Sequence, residues 1–311
     1  MKNSLFPALH SSFSLRAPAK INWFLKVIGK RDDGYHNIIS LMQCISLYDN
    51  LMFDHSDTIE VVSDSDIPLD DNLVYKAASL LKQYTSYKKG TKIVLQKNIP
   101  IGAGLGGGSS DAAYTLSGLN TLWGLRLNNR ELSSIGAEIG SDVPFFLNGP
   151  FALVEGRGEK VTPFKINSSI VLLLVKPTFS VSTAWAYTSF DKLNINGLTK
   201  KTVDIKLFCQ AFKKQDFASL STKLNNDLEK VVIERYPVVR EIKYRLLERG
   251  AVISAISGSG PAVFGVFKSK EIASSVAKEI GSIGLVRRVG DPLEQNRRSL
   301  WYWCKVAKTI L

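Results

Sequence analysis

The chain has 311 residues, of which 45% are hydrophobic and 22% charged, and its formal net charge is +12. This composition allows a sizeable core and excludes a largely disordered chain, and the length suits one large domain or two closely joined ones. The basic balance favours anionic partners, such as nucleotides, phosphorylated metabolites, nucleic acid or acidic membrane, without choosing among them. No block of five consecutive basic residues occurs, so the positive charge is interpreted first as a solvated surface.

Cysteine, histidine and hydropathy patterns bear on the cellular compartment and on possible metal sites and membrane spans. Cys44, Cys209 and Cys304 form no CxxC pair and are odd in number, which argues against a disulfide framework and fits a reducing cytoplasm. The three histidines are scattered, without a spacing typical of metal sites. No apolar run approaches the roughly 20 residues that cross a membrane, and residues 1–19 are interpreted as a short leader. We therefore expect a cytoplasmic protein without membrane or nucleic-acid partners, and leave a homodimer open.

In the first half of the chain, extended and helical patterns are mixed. Strands are predicted where apolar and aromatic residues dominate, at residues 21–28, 35–47, 58–63 and 91–96. Helices are predicted after the N-cap candidates Asp70, Asp71 and Asn72 through Tyr84, from Ser109 through Trp123, and over residues 129–139.

The second half continues this mixture. Strands are predicted at residues 170–175, 251–256 and 262–267, and helices at residues 204–214, 225–249 and 270–280. Because strands and helices do not alternate strictly, the sequence predicts an α+β fold rather than a doubly wound sheet. Without repeats or a linker to mark it, the domain boundary is placed near residues 150–170, which gives an N-terminal lobe of residues 1–160 and a C-terminal lobe of residues 161–311.

A glycine-rich loop lies between a predicted strand and a predicted helix. Phosphate oxygens need several donors at close range; backbone N–H groups supply them where side chains are absent, and a helix N-terminus adds a favourable dipole. A flexible linker would seldom lie between a strand and a helix. The sequence therefore predicts a nucleotide-phosphate site formed by Pro100, Ile101, Gly102, Ala103, Gly104, Leu105, Gly106, Gly107, Gly108, Ser109 and Ser110.

Other phosphate-binding patterns fit this loop poorly. Residues 102–107 match G-x-G-x-x-G, but the acidic residue at the spacing of a dinucleotide-binding fold, Glu131, lies in a polar, helix-like stretch. No lysine follows the glycines as a Walker A loop requires, and neither HRD nor DFG occurs as in protein kinases.

Three motifs in order resemble the superfamily of galactokinase, homoserine kinase, mevalonate kinase and phosphomevalonate kinase (GHMP). PIGAGLGGGSSDA follows its phosphate-loop signature, APAKINWFLKVIGKRDDGYHNI (residues 17–38) is similar to its N-terminal motif, and SGSGPAVFGVF (residues 257–267) to its C-terminal motif. The resemblance covers nearly the whole chain and implies a two-lobed kinase fold with an N-terminal ATP-binding lobe. It also implies that the third motif packs against the phosphate loop.

Further matches point to one subgroup, whose substrate carries a cytidine diphosphate group. PAKIN-x-FL, GYH, GLGGGSSDAA, GSDVPFF and NNDLE (residues 225–229) resemble that subgroup together. Asp111 stands where many superfamily members have alanine, and the subgroup commonly has a polar residue there. GSDVP has serine where relatives often have alanine, which leaves Asp142 in place.

The resemblance implies the catalytic residues. Asp142 taken alone is more typical of a turn or N-cap aspartate, but it matches the base that takes the proton from the substrate hydroxyl. Lys20 taken alone is more typical of a solvated strand end, but it matches a lysine that lies by the aspartate and holds it ionised.

The resemblance also implies substrate contacts. Asn22 shares a strand face with Lys20 and is expected to hydrogen-bond substrate. Tyr35 and His36, which alone are more typical of packing, match the cytidine pocket of the subgroup, where an aromatic ring stacks on the base. Thr183 falls where the subgroup has a substrate-contacting threonine, and Lys97 is a candidate nucleotide contact.

The expected cofactors are ATP and Mg²⁺, the metal held largely by phosphates and water, with Ser109 or Ser110 as open candidates and no assigned protein ligand. Two alternatives stay open at this point: another kinase of the superfamily, such as homoserine or mevalonate kinase, and an inert nucleotide-binding relative. The aromatic stretch of residues 297–311, with Trp301 and Trp303, is left open between core and interface.

Overall fold

The computed structural model describes residues 13–193, 204–282 and 302–311. Residues 1–12 of the leader and residues 297–301 of the aromatic stretch, Trp301 among them, lie outside this part. The chain divides into two compact units built from discontinuous segments. The first unit contains residues 13–19, 47–99 and 107–149, and the second contains residues 20–46, 100–106 and the described residues from 150 onward. The division at residue 160 stays a prediction.

The described residues form a mixture of strands and helices, which confirms the predicted α+β class. The strands are β1 (Phe13–Lys30), β2 (His36–Ser56), β3 (Ile59–Ser63), β4 (Gly90–Gln96), β5 (Phe151–Gly156), β6 (Lys160–Pro163), β7 (Val171–Lys176), β8 (Ile253–Ile256), β9 (Val263–Phe267) and β10 (Trp303–Lys308). The helices are α1 (Leu73–Thr85), α2 (Gly107–Leu122), α3 (Asn129–Ile139), α4 (Val143–Asn148), α5 (Thr183–Asp191), α6 (Ile205–Lys214), α7 (Phe217–Ser221), α8 (Glu229–Arg235), α9 (Pro237–Glu248) and α10 (Lys270–Ser282).

In the first unit, helices pack beside a small sheet. The second half of β2 pairs antiparallel with β4, which pairs in parallel with β3. Helix α1 begins after Asn72, whose side chain accepts a hydrogen bond from the Val74 amide, as N-cap chemistry predicts. A Cβ on Gly118 of α2 would lie 2.6 Å from the ring of Phe53 on β2. Glycine at this position therefore lets α2 lie close to the sheet.

The second unit has two groups of paired strands. The first half of β2 pairs with β5, which pairs with β6, and a separate antiparallel sheet has the order β10-β7-β9-β8. Trp23 of β1 is buried against Phe208, Phe212 and Phe264. Side chains alternate along a strand, so burial of Trp23 and Ile21 on one face places Lys20 and Asn22 on the other.

The predicted helical backbone over residues 225–249 is present in α8 and α9, but not at its start or at the junction of the two helices. Residues 225–228 are not helical, and α8 and α9 are separated at Tyr236. The break precedes Pro237, whose ring disfavours helical backbone at the residue before it and which is tolerated in a first helical turn. Before α8, Asn225 and Asp227 form backbone hydrogen bonds with Leu25 of β1. No helix within the described residues combines the length and hydropathy needed to cross a membrane.

Candidate active site

Residues 100–106 of the glycine loop belong to the second unit and have a backbone that requires glycine. Gly102, Gly104 and Gly106 have φ angles of +62°, +78° and +71°, in the left-handed region that residues with a Cβ rarely adopt. Helix α2 begins at Gly107, two residues before the predicted start at Ser109. The loop therefore runs directly into a helix N-terminus, the arrangement that binds phosphate through backbone N–H groups.

The turn of the third motif braces this loop. A Cβ on Gly104 would lie 2.1 Å from the carbonyl oxygen of Ser257, so no other residue fits without displacing the turn. The Ser257 hydroxyl donates to the Gly104 carbonyl over 2.9 Å, and the Ala262 amide donates to the Ala103 carbonyl over 3.1 Å. The packing that the resemblance implied between these two motifs is present.

Lys20 and Asn22 lie against the same turn. Both side chains are buried, and Lys20 Nζ donates to Asn22 Oδ1 over 2.6 Å. Asn22 Nδ2 in turn donates to the hydroxyl of Ser40 over 2.8 Å. A Cβ on Gly258 would lie 3.3 Å from both Lys20 Nζ and Asn22 Oδ1, so the turn contacts this pair directly. The Lys20 amide also donates to the Leu105 carbonyl over 2.9 Å, which ties the lysine backbone to the glycine loop.

Thr183, at the start of α5, contacts the turn from another direction. Its hydroxyl lies 2.9 Å from the hydroxyl of Ser259. The second unit thus brings Lys20, Asn22 and Thr183 together around residues 257–260. Ser259 was not singled out from the sequence, although it belongs to the third motif.

In the first unit, the start of α2 lies beside a buried cluster of charges. Lys97 Nζ donates to Asp49 Oδ2 over 2.5 Å and to Asp111 Oδ2 over 2.6 Å, and a Cβ on Gly107 would lie 3.3 Å from the same nitrogen. Asp49 also accepts from the amides of Asn98 and Ile99. Asp49 was missed in the sequence, where an acid inside the apolar run of β2 was the available signal.

The two carboxylates of this cluster differ in their partners. Asp49 has backbone donors besides Lys97, whereas Asp111 Oδ1 is buried without a hydrogen-bond partner in the described part of the chain. Burial, opposed by Lys97 and reinforced by Asp49, raises the pKa of Asp111 to about 7. Burial acts to lower the pKa of Lys97, but the carboxylates of Asp111 and Asp49 outweigh it and raise that pKa.

Ser110 presents a second unsatisfied group at the helix start. Its side chain is fully buried, and its Oγ lacks a hydrogen-bond partner among the described residues. A buried hydroxyl without a partner costs free energy unless a ligand or water completes it. The Ser110 hydroxyl is therefore a candidate hydrogen-bonding group for a ligand at the start of α2.

Asp142 lies in the first unit, immediately before α4. It is half-buried, and although it occupies the N-cap position of α4, its side chain accepts no hydrogen bond from the first amides of that helix. Pro144 stands in the first turn, where its fixed φ is compatible with a helix, and Val143 and Phe145 are buried behind it. The carboxylate is therefore held on a rigid segment and is not used as an N-cap, the structural role that Asp142 alone suggested.

His36 belongs to a separate group of residues in the second unit. Its ring stacks on Tyr187, with centroids 4.8 Å apart, and its Nε2–H donates to Asp191 Oδ1 over 2.7 Å. Lys30 donates to the other oxygen of Asp191 over 3.0 Å. Burial acts to raise the pKa of Asp191, but the hydrogen bonds from His36 and Lys30 outweigh it and lower that pKa.

Tyr35 lies apart from this group. Its side chain is half exposed, and the Arg157 guanidinium lies 5.2 Å from its ring centroid. Tyr187 and Asp191 were missed in the sequence. Their spacing of four and eight residues from Thr183 was the available signal, because residues at i, i+4 and i+8 share one face of a helix.

No group of three or more His, Cys, Asp and Glu side chains within the described residues is arranged to hold a metal. A magnesium ion held by phosphate oxygens and water needs few protein ligands.

Comparison with protein families gives two matches. Residues 72–150 match the GHMP kinases N terminal domain, and residues 208–284 match the GHMP kinases C terminal domain. The first range contains the glycine loop, Lys97 and Asp142, and the second contains the turn of the third motif.

Curated relatives cover nearly the whole chain. A 4-diphosphocytidyl-2-C-methyl-D-erythritol kinase of Thermodesulfovibrio yellowstonii is 46% identical over 297 residues, which are 95% of this chain and 97% of that protein. A protein of the same name from Clostridioides difficile is 45% identical over 271 residues, 86% of this chain and 90% of that protein.

Solved structures share the fold. A crystal structure of 4-(cytidine 5'-diphospho)-2C-methyl-D-erythritol kinase aligns with a TM-score of 0.76 and 28% identity, over 95% of this chain and 99% of that chain. A homoserine kinase from Cytophaga hutchinsonii aligns with a TM-score of 0.66 over 99% and 98% of the two chains, but at 18% identity the likeness extends only to the fold.

Proposed function

We propose that this chain, which belongs to the GHMP kinases and within them to the 4-diphosphocytidyl-2-C-methyl-D-erythritol kinase family, transfers a phosphoryl group from ATP to the 2-hydroxyl of 4-diphosphocytidyl-2-C-methyl-D-erythritol. The reaction is a step of the non-mevalonate isoprenoid pathway. The observation that carries the proposal is the packing of Gly104 on the Ser257 turn, with the buried Lys20 amine against the same turn. The glycine loop proposed to bind phosphate and the buried Lys20 ammonium therefore both pack against the Ser257 turn.

The nucleotide is assigned to the glycine loop and the N-terminus of α2. Backbone N–H groups of residues 102–108 and the helix dipole offer donors to phosphate oxygens, and the buried Ser110 hydroxyl offers one more. Mg²⁺, when bound with ATP, neutralises phosphate charge. Ser109 or Ser110 is the candidate for a protein contact to the metal.

Positioning and proton transfer are assigned to two residues. Phosphoryl transfer asks the protein mainly for positioning and charge neutralisation. We assign to Lys20 the electrostatic part, since its ammonium is buried and held by Asn22. We assign to Asp142 the uptake of the hydroxyl proton, since it directly precedes the buried Val143 and Pro144 of α4 and its carboxylate does not cap that helix.

The acceptor is assigned to residues of the second unit. Asn22 and Thr183 offer hydrogen-bonding groups near the turn, and Tyr35, His36 and Tyr187 offer aromatic rings for a cytosine base. The three thiols are free, which supports a reducing, cytoplasmic setting.

The test is ADP formation by the purified protein with ATP and Mg²⁺. We expect turnover with diphosphocytidyl-methylerythritol and background rates with homoserine, mevalonate or no acceptor. Turnover with homoserine or mevalonate alone would assign the chain to a different kinase reaction. ATP binding without ADP formation with any acceptor would identify an inert relative and refute the proposal.

A further inference from the structure

We propose that Asn226 is a positioning residue for phosphoryl transfer, acting through the turn at Ser257–Gly260 on Lys20 and Asn22. The inference rests on the proposed kinase function. It concerns the NNDLE segment, residues 225–229, to which the reaction assigns no role.

The segment is held against β1. The Leu25 amide donates to the Asn225 carbonyl over 2.8 Å, and the Asp227 amide donates to the Leu25 carbonyl over 2.9 Å. Asp227 Oδ2 accepts from the Val27 amide over 2.8 Å. Residues 225–227 are therefore fixed to β1 at Leu25 and Val27, three to five residues after Asn22 on the same strand.

The Asn226 side chain uses this support to hold the turn. Its Nδ2 donates to the Gly258 carbonyl over 2.7 Å and to the Ile256 carbonyl over 3.1 Å. Its Oδ1 accepts from the Leu228 amide over 3.1 Å. These partners require the amide in this one orientation, since two carbonyls need donors and one N–H needs an acceptor. A carboxylate or a hydroxyl could not satisfy all three.

The turn needs this external clamp because of its own composition. Gly258 has a φ of +57° and Gly260 a φ of +72°, so two of its four residues lack the restraint that side chains give. The Cα of Gly258 abuts Lys20 and Asn22, because a Cβ there would lie 3.3 Å from Nζ and from Oδ1. Movement of Gly258 would therefore open space beside the ammonium assigned to catalysis.

Asn225 supplies a matched control. It is exposed, and within the described residues its side chain donates to Asp227 Oδ1 of the same segment. The same truncation one residue earlier thus removes an amide that does not touch the turn. We expect Asn226→Ala to lower kcat roughly tenfold or more, since small displacements of catalytic groups cost rate steeply, with the KM for ATP changed less than about threefold. We expect Asn225→Ala to stay within about twofold of wild type.

A double-mutant cycle separates positioning from general loosening. If Asn226 acts through the Lys20–Asn22 pair, its truncation in an Asn22→Ala background should cost no more than about threefold, because the pair is already released. An equal loss in both backgrounds, or a loss below about twofold in the wild type, would overturn the inference.

Thermal melts establish that each variant is folded at the assay temperature. If Asn226→Ala does not fold, Asn226→Ser carries the same expectations, since its hydroxyl is too short to reach both carbonyls. Wild-type protein without turnover would refute the proposed function itself, whereas active wild type with an unaffected Asn226→Ala variant would refute only this inference.

Discussion

Lys97 Nζ and Asp111 Oδ2 lie 2.6 Å apart at the start of α2, and both side chains are at least nine-tenths buried. Asp49 shares the same ammonium, so one cation serves two buried carboxylates. Such a cluster carries an excess negative charge where desolvation penalises charge, and a proton on one carboxyl relieves it. Asp49 keeps its backbone donors, so the proton falls to Asp111.

The stability of the protein should therefore fall with rising pH through this group. In the unfolded chain Asp111 titrates near its ordinary pKa of 3.8, and in the folded protein near 7. Between these values the folded state binds more protons, so the free energy of unfolding decreases as pH rises. We expect Asp111→Asn to remove this dependence. The free energy of unfolding of the variant, relative to that of wild type, should then rise by on the order of 2 kcal/mol from pH 5 to pH 8. Urea unfolding across that range measures it.

Asp57→Asn is the control for this titration. Asp57 is exposed in a turn of the first unit, so its replacement should change the free energy of unfolding by the same amount at pH 5 and at pH 8. A stability difference between wild type and Asp111→Asn that is constant from pH 5 to pH 8 would contradict the raised pKa.

Gly104→Ala should abolish turnover. The substitution adds a methyl group 2.1 Å from the Ser257 carbonyl and imposes a φ of +78° on alanine, so the loop or the turn must move. Gly124→Ala is matched in conformation but not in packing, because φ is +65° and nothing described lies within 4 Å of its Cβ. That control should lose only about 1–2 kcal/mol of stability and keep its rate. ATP titrations and steady-state rates compare the two variants with wild type. An active Gly104→Ala variant would refute the packing argument.

Asp191→Ala should weaken binding of the cytidine-bearing acceptor. The carboxylate orients the His36 ring, so its loss should raise the KM for the acceptor roughly tenfold and leave the KM for ATP unchanged. Lys30→Met is the control, because Lys30 contacts the same carboxylate but is largely exposed. An exposed ion pair contributes little, so this variant should stay within about twofold of wild type. Equal effects of the two substitutions, or an equal rise of both KM values, would contradict the assignment.

The sequence predicts most strongly those parts of the site that are local. The glycine loop, the alternation that places Lys20 and Asn22 on one face, and the Asn72 N-cap each depend on neighbouring residues, and each is present. Each of these features depends on residues that are close together in the chain, so a single sequence is enough to predict it.

The rest depends on contacts between distant residues. Lys97 and Asp49 are separated by 48 positions, and Asn226 and Gly258 by 32, so no local pattern joins them. Helix ends were also misjudged where tertiary contacts compete, as at residues 225–228, which bind β1 instead of extending α8. Asp49 illustrates the general signal: an acid within an apolar strand requires a buried partner, which only the fold identifies.

Asp142→Asn should separate proton uptake from nucleotide binding. The amide keeps the shape of the side chain but cannot accept the hydroxyl proton, so we expect kcat to fall by about 10²–10⁴. Affinity for a non-hydrolysable ATP analogue, measured by calorimetry, should stay within about threefold of wild type. Asp142→Glu retains a carboxylate displaced by one methylene and should recover part of the rate. A kcat for Asp142→Asn within about threefold of wild type would remove the base assignment, since a residue that only stiffens α4 through Val143 and Pro144 would tolerate the amide.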